Sequence, residues 1–310
     1  MEASNQNSKS KGIFQVTKRS IVEFSSDDML TYAAALAYQI FFSLFPFIIF
    51  ILGLLGLLNL QSVFDWLIQQ ANAVMPKSSA SLVDQIVKQV KGNGAGSALS
   101  IGAAIALYSA SGAVRGAMHA MNIAYDIPIE DEQPFWKKFP LSILYTLLLT
   151  VMLIVSVVLL FFGGSVAQWF SKLVGLGSWF VTLWSIGRIP LALMLLMISL
   201  AVIYYLFPNH QNQPFRLVSP GAIIAVIVWI VASLAFSWYV SNFGSYSKTY
   251  GSIAAVIVLL LYFYISSAIL LFGAEVNAET YRQAAPERYE KDEAVGRADE
   301  NSKDEESEEG

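Results

Sequence analysis

Arg115, His119 and Asn122 follow one another at steps of four and three, so a helix would carry all three on one face. Glu275 directly follows 249–274, a stretch without Asp, Glu, Lys or Arg, and Asn277 lies two residues on. An acid and a base brought together at the edge of an apolar layer would form an ion pair that reduces the desolvation cost of each. Tyr38, Gln39 and Ser43 add uncharged polar groups to an otherwise apolar run, which also contains Pro46. The chemistry on offer is polar recognition in a low-dielectric setting. The plainer alternatives are an Arg115 that snorkels to the headgroups and a His119 at a helix end.

Nucleophilic and metal chemistry finds little support. The chain has no cysteine and two histidines, His119 and His210, so thiolate sites and a His-rich metal centre are excluded. There is no Gly-x-x-x-x-Gly-Lys-Ser/Thr phosphate loop, no His-x-Glu and no His-Glu-x-x-His. No catalytic residue, metal or cofactor is expected.

The elements that must position these groups are apolar. Of 310 residues, 55% are hydrophobic and 14% charged, with a mean hydropathy of +0.55. Soluble domains carry about 25% charged residues. The segment from Arg282 onward holds five basic and eleven acidic groups, so the formal net charge of −4 comes from the tail and the rest is slightly positive. Charge-free windows occur at 29–64, 92–114, 139–171, 189–215, 217–247 and 249–274. A bilayer core of about 30 Å takes about 20 apolar residues as a helix. These windows predict an all-α polytopic membrane protein, a bundle of six transmembrane helices near 31–57, 97–119, 141–163, 180–206, 218–240 and 252–275.

Basic residues predict the orientation. With the N-terminus inside, thirteen Lys and Arg fall on the inner segments and five on the outer loops. Inner loops carry the excess, so both termini are expected in the cytoplasm. Residues 1–29 read as an N-terminal arm, 30–281 as the membrane domain and 282–310 as an acidic tail too polar to order itself. Within the outer loop 60–93, Val63, Trp66, Leu67, Gln70 and Val74 keep helical spacing, as do Leu82, Ile86 and Val90. Two short amphipathic helices fit there. Ser241 to Gly251 reads as an outer loop with interfacial tyrosines.

Three further features bear on packing. The second span is rich in small residues and contains Gly112-x-x-x-Gly116, a surface on which backbones approach closely. Pro46 and Pro190 fall inside the first and fourth spans, where they would break or bend the helix. Spans two and six run the same way on this topology, so Arg115 and Glu275 end at similar depth and are expected to pair.

Several strings together resemble one family. They are Ala33-Ala34-Ala35-Leu36-Ala37-Tyr38 with Phe41-Phe42-Ser43-Leu44-Phe45-Pro46, Ser109-Ala110-Ser111-Gly112-Ala113, and Pro220-Gly221-Ala222. Further on come Phe243-Gly244-Ser245-Tyr246, Tyr250-Gly251-Ser252 and Gly273-Ala274-Glu275-Val276-Asn277-Ala278. This is similar to the YihY/BrkB family of bacterial inner-membrane proteins, in the family's order from about residue 15 to 282. The resemblance implies six spans, cytoplasmic termini and the inner membrane. The family includes a protein linked to serum resistance, and members have carried the label ribonuclease BN. That label conflicts with the residues: a two-metal nuclease needs a cluster of histidines and acids, and a nucleic-acid site needs a basic groove. No nucleic-acid partner is expected. The leading expectation is a transporter or handler of a lipid or amphipathic solute in envelope biogenesis. The alternative is a non-catalytic scaffold with an envelope-protein partner or a second copy of itself; an enzyme comes last.

Overall fold

The computed structural model describes residues 15–57, 95–157, 171, 175, 178–209, 215–242 and 244–284. The amphipathic loop expected at 60–93, His210 and the tail beyond Ala284 lie outside the described residues. Among those described, the structure is all helical. Helix α1 covers 15–26. It is followed by α2 (Met29–Leu57), α3 (Ala95–Ala124), a 3-10 turn (Ile129–Asp131), α4 (Phe135–Val157), α5 (Ser178–Leu206), α6 (Pro220–Asn242) and α7 (Gly244–Ala284).

Four of these contain stretches long and apolar enough to cross a membrane: Phe135–Ser156, Trp179–Leu206, Pro220–Asn242 and Ala254–Ala284. Met29–Leu44 of α2 is a shorter apolar run. Leu144, Val151, Leu183, Ile186, Val231 and Leu234 are exposed on the outer faces of α4, α5 and α6. Such side chains belong against lipid, where no hydrophobic penalty attaches to them.

The helix ends follow from local chemistry. At the end of α3, Asp126 donates its N–H to the Ile123 carbonyl (2.8 Å) and Ile127 donates to Asn122 (2.9 Å). This is a Schellman closure, with Asp126 at φ 52° where glycine usually stands. Asp28, also at φ 52°, turns the chain between α1 and α2 in two residues. Aspartate tolerates the left-handed region better than most side chains. Ser219 caps α6, its Oγ accepting from the Ala222 N–H at 3.2 Å, and Pro220 occupies the first helical position.

One face of α2, with Met29, Ala33 and Leu36, is buried against Ala117, Met118, Ala120, Met121 and Ala124 of α3 in a core that also takes in Ala274 and Ala278 of α7. The start of α2, the end of α3, the start of α4, the end of α5, the start of α6 and the end of α7 meet at one end. Consecutive helices from α2 to α7 therefore alternate in direction. This shared end is called the polar end below, because the bonds joining different elements gather there.

Neither Pro46 nor Pro190 interrupts its helix: α2 runs on to Leu57 and α5 to Leu206. Pro140 sits inside α4 in the same way. Ser241 and Asn242 finish α6 and Gly244 opens α7, so most of the expected outer loop is helical. The α7 helix also continues past Glu275 to Ala284, which brings Arg282 into the bundle.

Candidate functional site

Arg115 is the one arginine on α3, which carries no Lys, Asp or Glu. Its guanidinium donates to Ser111 Oγ at 2.8 Å and to Ser142 Oγ of α4 at 3.2 Å, both hydroxyls being buried. Its Cζ lies 5.7 Å from the ring centre of Tyr108 and 5.2 Å from that of Phe139. Two hydroxyls and two aromatic faces suit a cation held below the headgroups. The expected ion pair with Glu275 is not formed. Arg115 faces α4, whereas Glu275 lies on α7 beneath the α1–α2 turn.

His119, one turn further along, bonds through Nδ1 to Glu132 at 2.6 Å, and its ring meets Tyr32 edge-on at 5.8 Å. Lys138 donates to the other Glu132 oxygen at 2.7 Å. Burial alone would raise the pKa of Glu132, but Lys138 and His119 outweigh it and hold the carboxyl below its usual range. Asn122, fully enclosed, accepts from the backbone N–H of Asn209 at 2.9 Å. Asn209 in turn donates to the Asp131 carbonyl (2.6 Å) and accepts from Gln133 (3.1 Å). A cavity of about 430 Å³ is lined by Asp131, Glu132, Gln133, Lys137 and Asn209.

On the other side of the bundle, Asn277 accepts from the Gly221 N–H at 2.8 Å. The helices α6 and α7 cross here almost backbone to backbone: a Cβ on Gly221 would collide with the Gly273 carbonyl, and one on Gly273 with the Tyr204 hydroxyl. The Tyr204 hydroxyl donates to the Leu270 carbonyl at 3.0 Å.

Between these two clusters, α1 lies across α3 and α7. Phe24 packs edge-on against Phe272 at 5.7 Å, and Arg19 bonds Glu279 at 3.3 Å. Arg282 binds Asp126, the Ala124 carbonyl (3.0 Å) and Glu279 (3.6 Å). Asp27 stands in the turn beside them. Burial first, then the charges of Asp126 and Glu23, push its carboxyl above the usual aspartate range, against smaller opposing effects of Arg282 and of the Glu275 carboxyl nearby. A cavity of about 580 Å³ is lined by Lys18, Arg19, Val22, Glu23, Asp126, Glu279 and Arg282 among others.

The remaining expected residues divide. Gln39 is at the α2–α3 crossing, where a Cβ on Gly116 would meet its Oε1 at 2.8 Å. A Cβ on Gly112 would make only an ordinary contact, with Arg115 at 3.7 Å. Ser43 bonds back to the Ile40 carbonyl of its own helix at 2.8 Å. Tyr38 points outward, 58% exposed, against Phe42. So Arg115, His119, Asn122, Glu275 and Asn277 belong to the polar end, while Tyr38 and Ser43 do not. Sequence reasoning missed Asp27, Glu132, Asn209 and Arg282. Their signal was a charged or amide side chain beside a helix end, which is common enough to pass unnoticed.

The sequence profile of the family Virulence factor BrkB matches residues 20–297, taking in every helix that contributes to this end apart from the first residues of α1. The chain belongs to the BrkB family. Similar to this BrkB chain is the ribonuclease-like protein YfkH of Bacillus subtilis, 36% identical over 251 residues, or 81% of this chain and 90% of its own length. A UPF0761 membrane protein of Alteromonas mediterranea is 38% identical over 101 residues, 33% of this chain and 32% of that protein. One from Mannheimia succiniciproducens is 36% identical over 81 residues, covering 26% and 28%. No solved structure matches the chain. It is a BrkB membrane protein.

Proposed function

We propose that this protein is a transporter or handler of lipids or amphipathic solutes in the bacterial cytoplasmic membrane, with six crossings, cytoplasmic termini and the polar end facing the cytoplasm. One observation carries the reading. The cavity of about 580 Å³ has Lys18, Arg19 and Arg282 beside Glu23, Asp126 and Glu279, and Val22 at its edge. Val22 is 58% exposed and its neighbour Ile21 56% exposed. A charged recess bordered by apolar groups suits a molecule with a polar head and apolar chains. Alternation of α2 to α7 supports six crossings, and the basic count supports the orientation.

The reading is of a non-enzyme that binds membrane lipids and no nucleic acid. The ribonuclease-like name of the Bacillus relative is set aside on chemical grounds. Its reaction would need metal ligands or a phosphate groove, and His119 is already engaged by Glu132 and Tyr32. Purified protein in proteoliposomes should accelerate transbilayer movement of fluorescent phospholipids, and substitution of Arg19 and Arg282 by Gln should slow it. Rates equal to protein-free vesicles for lipids and amphipathic solutes alike would favour the envelope scaffold. Orientation is tested separately, since the chain has no native cysteine. A cysteine at Ser79 should label with an impermeant reagent in intact cells, and one at Ser307 should not.

A further inference from the structure

Glu275 is 0% exposed, and neither of its carboxyl oxygens has a donor within reach. Oδ2 of Asp27 is likewise buried without a donor. Phe24 and Phe272, each three residues earlier, pack at 5.7 Å, which brings Asp27 and Glu275 close enough for their carboxyl groups to act on each other. Ionised carboxylates only accept, so two of them cannot bond to each other. One proton resolves the conflict: it sits on one oxygen and is shared with the other, as in any close carboxyl pair.

The surroundings favour this state. Glu23 from α1 and Asp126 from the end of α3 add negative charge, and Arg282 from α7 opposes them. Arg282 is itself committed to Asp126 and Glu279, and Glu279 is shared with Arg19. Asp28, the next residue, is turned out to solvent. A lone charge on Glu275 would thus be buried without compensation, an expensive state. Glu23, Asp126 and Arg282, the groups that act on Asp27, also line the cavity of about 580 Å³. The cavity therefore borders the charged groups around the pair, while Asp27 and Glu275 themselves lie behind its lining.

We propose that Asp27 and Glu275 bind one exchangeable proton between them, taken up and released through the cavity between α1, α3 and α7. Release to water leaves two facing carboxylates, whose repulsion pushes the α1–α2 turn away from α7. Uptake closes the contact again. The site holds whatever the protein's cargo; where the transport reading is right, it links that transport to protons.

Infrared difference spectroscopy on the purified full chain in nanodiscs tests this, following the carbonyl stretch of a protonated carboxylic acid as pH is raised. The wild type should show an acid band at neutral pH that disappears on alkalinisation. Glu275→Gln should abolish it, and Asp27→Asn should shift both its frequency and its titration. Glu275→Gln keeps both the shape and the single negative charge of the protonated pair, so this variant should match the wild type in melting temperature at neutral pH; Asp27→Asn keeps the shape and removes that charge. The sign of the stability change follows from the raised Asp27 carboxyl. Its contribution is complete below the ordinary aspartate range and is lost as pH rises through the folded value. Wild-type stability should therefore decline with rising pH, more steeply than that of Asp27→Asn. No acid band at neutral pH in the wild type, or a band unchanged in both variants, would overturn the proposal. So would loss of the band on adding sodium at fixed pH, which would make a metal cation the ligand. Failure of lipid flux in vesicles would leave these spectra unaffected and would count against the transport reading alone.

Discussion

The backbone N–H of Gly221 donates to Oδ1 of Asn277 at 2.8 Å, one turn from the point where Gly221 and Gly273 cross. A side chain thus completes the first turn of α6 from another helix. The bond forms only because neither glycine carries a Cβ at the crossing. Packing and polar satisfaction depend on the same two hydrogens.

Gly221→Ala and Gly273→Ala should each destabilise the protein by at least the cost of overpacking, about 1–3 kcal/mol. Gly112→Ala is the control, since its added Cβ would meet Arg115 at an ordinary 3.7 Å. Thermal unfolding in one detergent should separate the first two from the third. Equal melting temperatures for all three would contradict the crossing.

Arg115→Ala should be damaging, because it strips a cation from two buried hydroxyls and two rings. Glu275→Ala should act independently. A double-mutant cycle is expected to add to within about 0.5 kcal/mol, the tolerance for groups that do not touch. Strong coupling would restore the direct pair that the helix faces disallow.

Glu132 gives the opposite pH trend to Asp27. Its carboxyl is held low by Lys138 and His119. Its stabilisation is therefore present above the ordinary glutamate range and lost as pH falls through the folded value. Melting temperature should drop on acidification, and Glu132→Gln should lower the neutral-pH value while flattening the acid limb.

The C-terminus can be cut at one place and not at another. Ending the chain after Ala284 leaves Arg282 on Asp126 and the Ala124 carbonyl, so stability should hold. Ending it after Tyr281 removes those bonds and leaves Asp126 and Glu279 without that cation. A measurable loss of thermal stability is expected from the three-residue difference.

Helix positions were legible because a helix facing lipid cannot carry charge, and the charge-free windows mark that requirement directly. Their ends were less so. Polarity marks where the hydrocarbon stops, not where the helix stops, so α4 begins at Phe135 with Lys137 and Lys138 already helical. The same error made a loop of the polar residues that open α7. For the site, spacing gave depth along each helix but no direction around it. Arg115 and Glu275 were placed at one level and wrongly made to face. Asp27 escaped notice because it belongs to a stretch that reads as an arm outside the membrane, while α1 folds back over the bundle and carries it to Glu275. Gly112 and Gly116 look alike in sequence; the approach of Gln39 and Leu36 to Gly116 tells them apart.

The unbroken length of α7 has a mechanical meaning. Its 41 residues make a rod of about 60 Å. Trp229 to Ser266 and Ser233 to Tyr262 lash α6 to it, so a tilt of one helix would carry the other. The fulcrum is at Gly273, wedged against Tyr204 of α5. By helix rise, about 44 Å of rod extends to one side of that point and about 17 Å to the other. Arg282 stands about 14 Å along the short arm, so a sideways travel of ~6.5 Å at the Gly244 end would arrive there as ~2 Å, reversed in direction. Two ångströms is enough to part a carboxylate from a guanidinium. A displacement at the Gly244 end of the rod would in this way be geared down into making or breaking single ionic contacts at the Arg282 end.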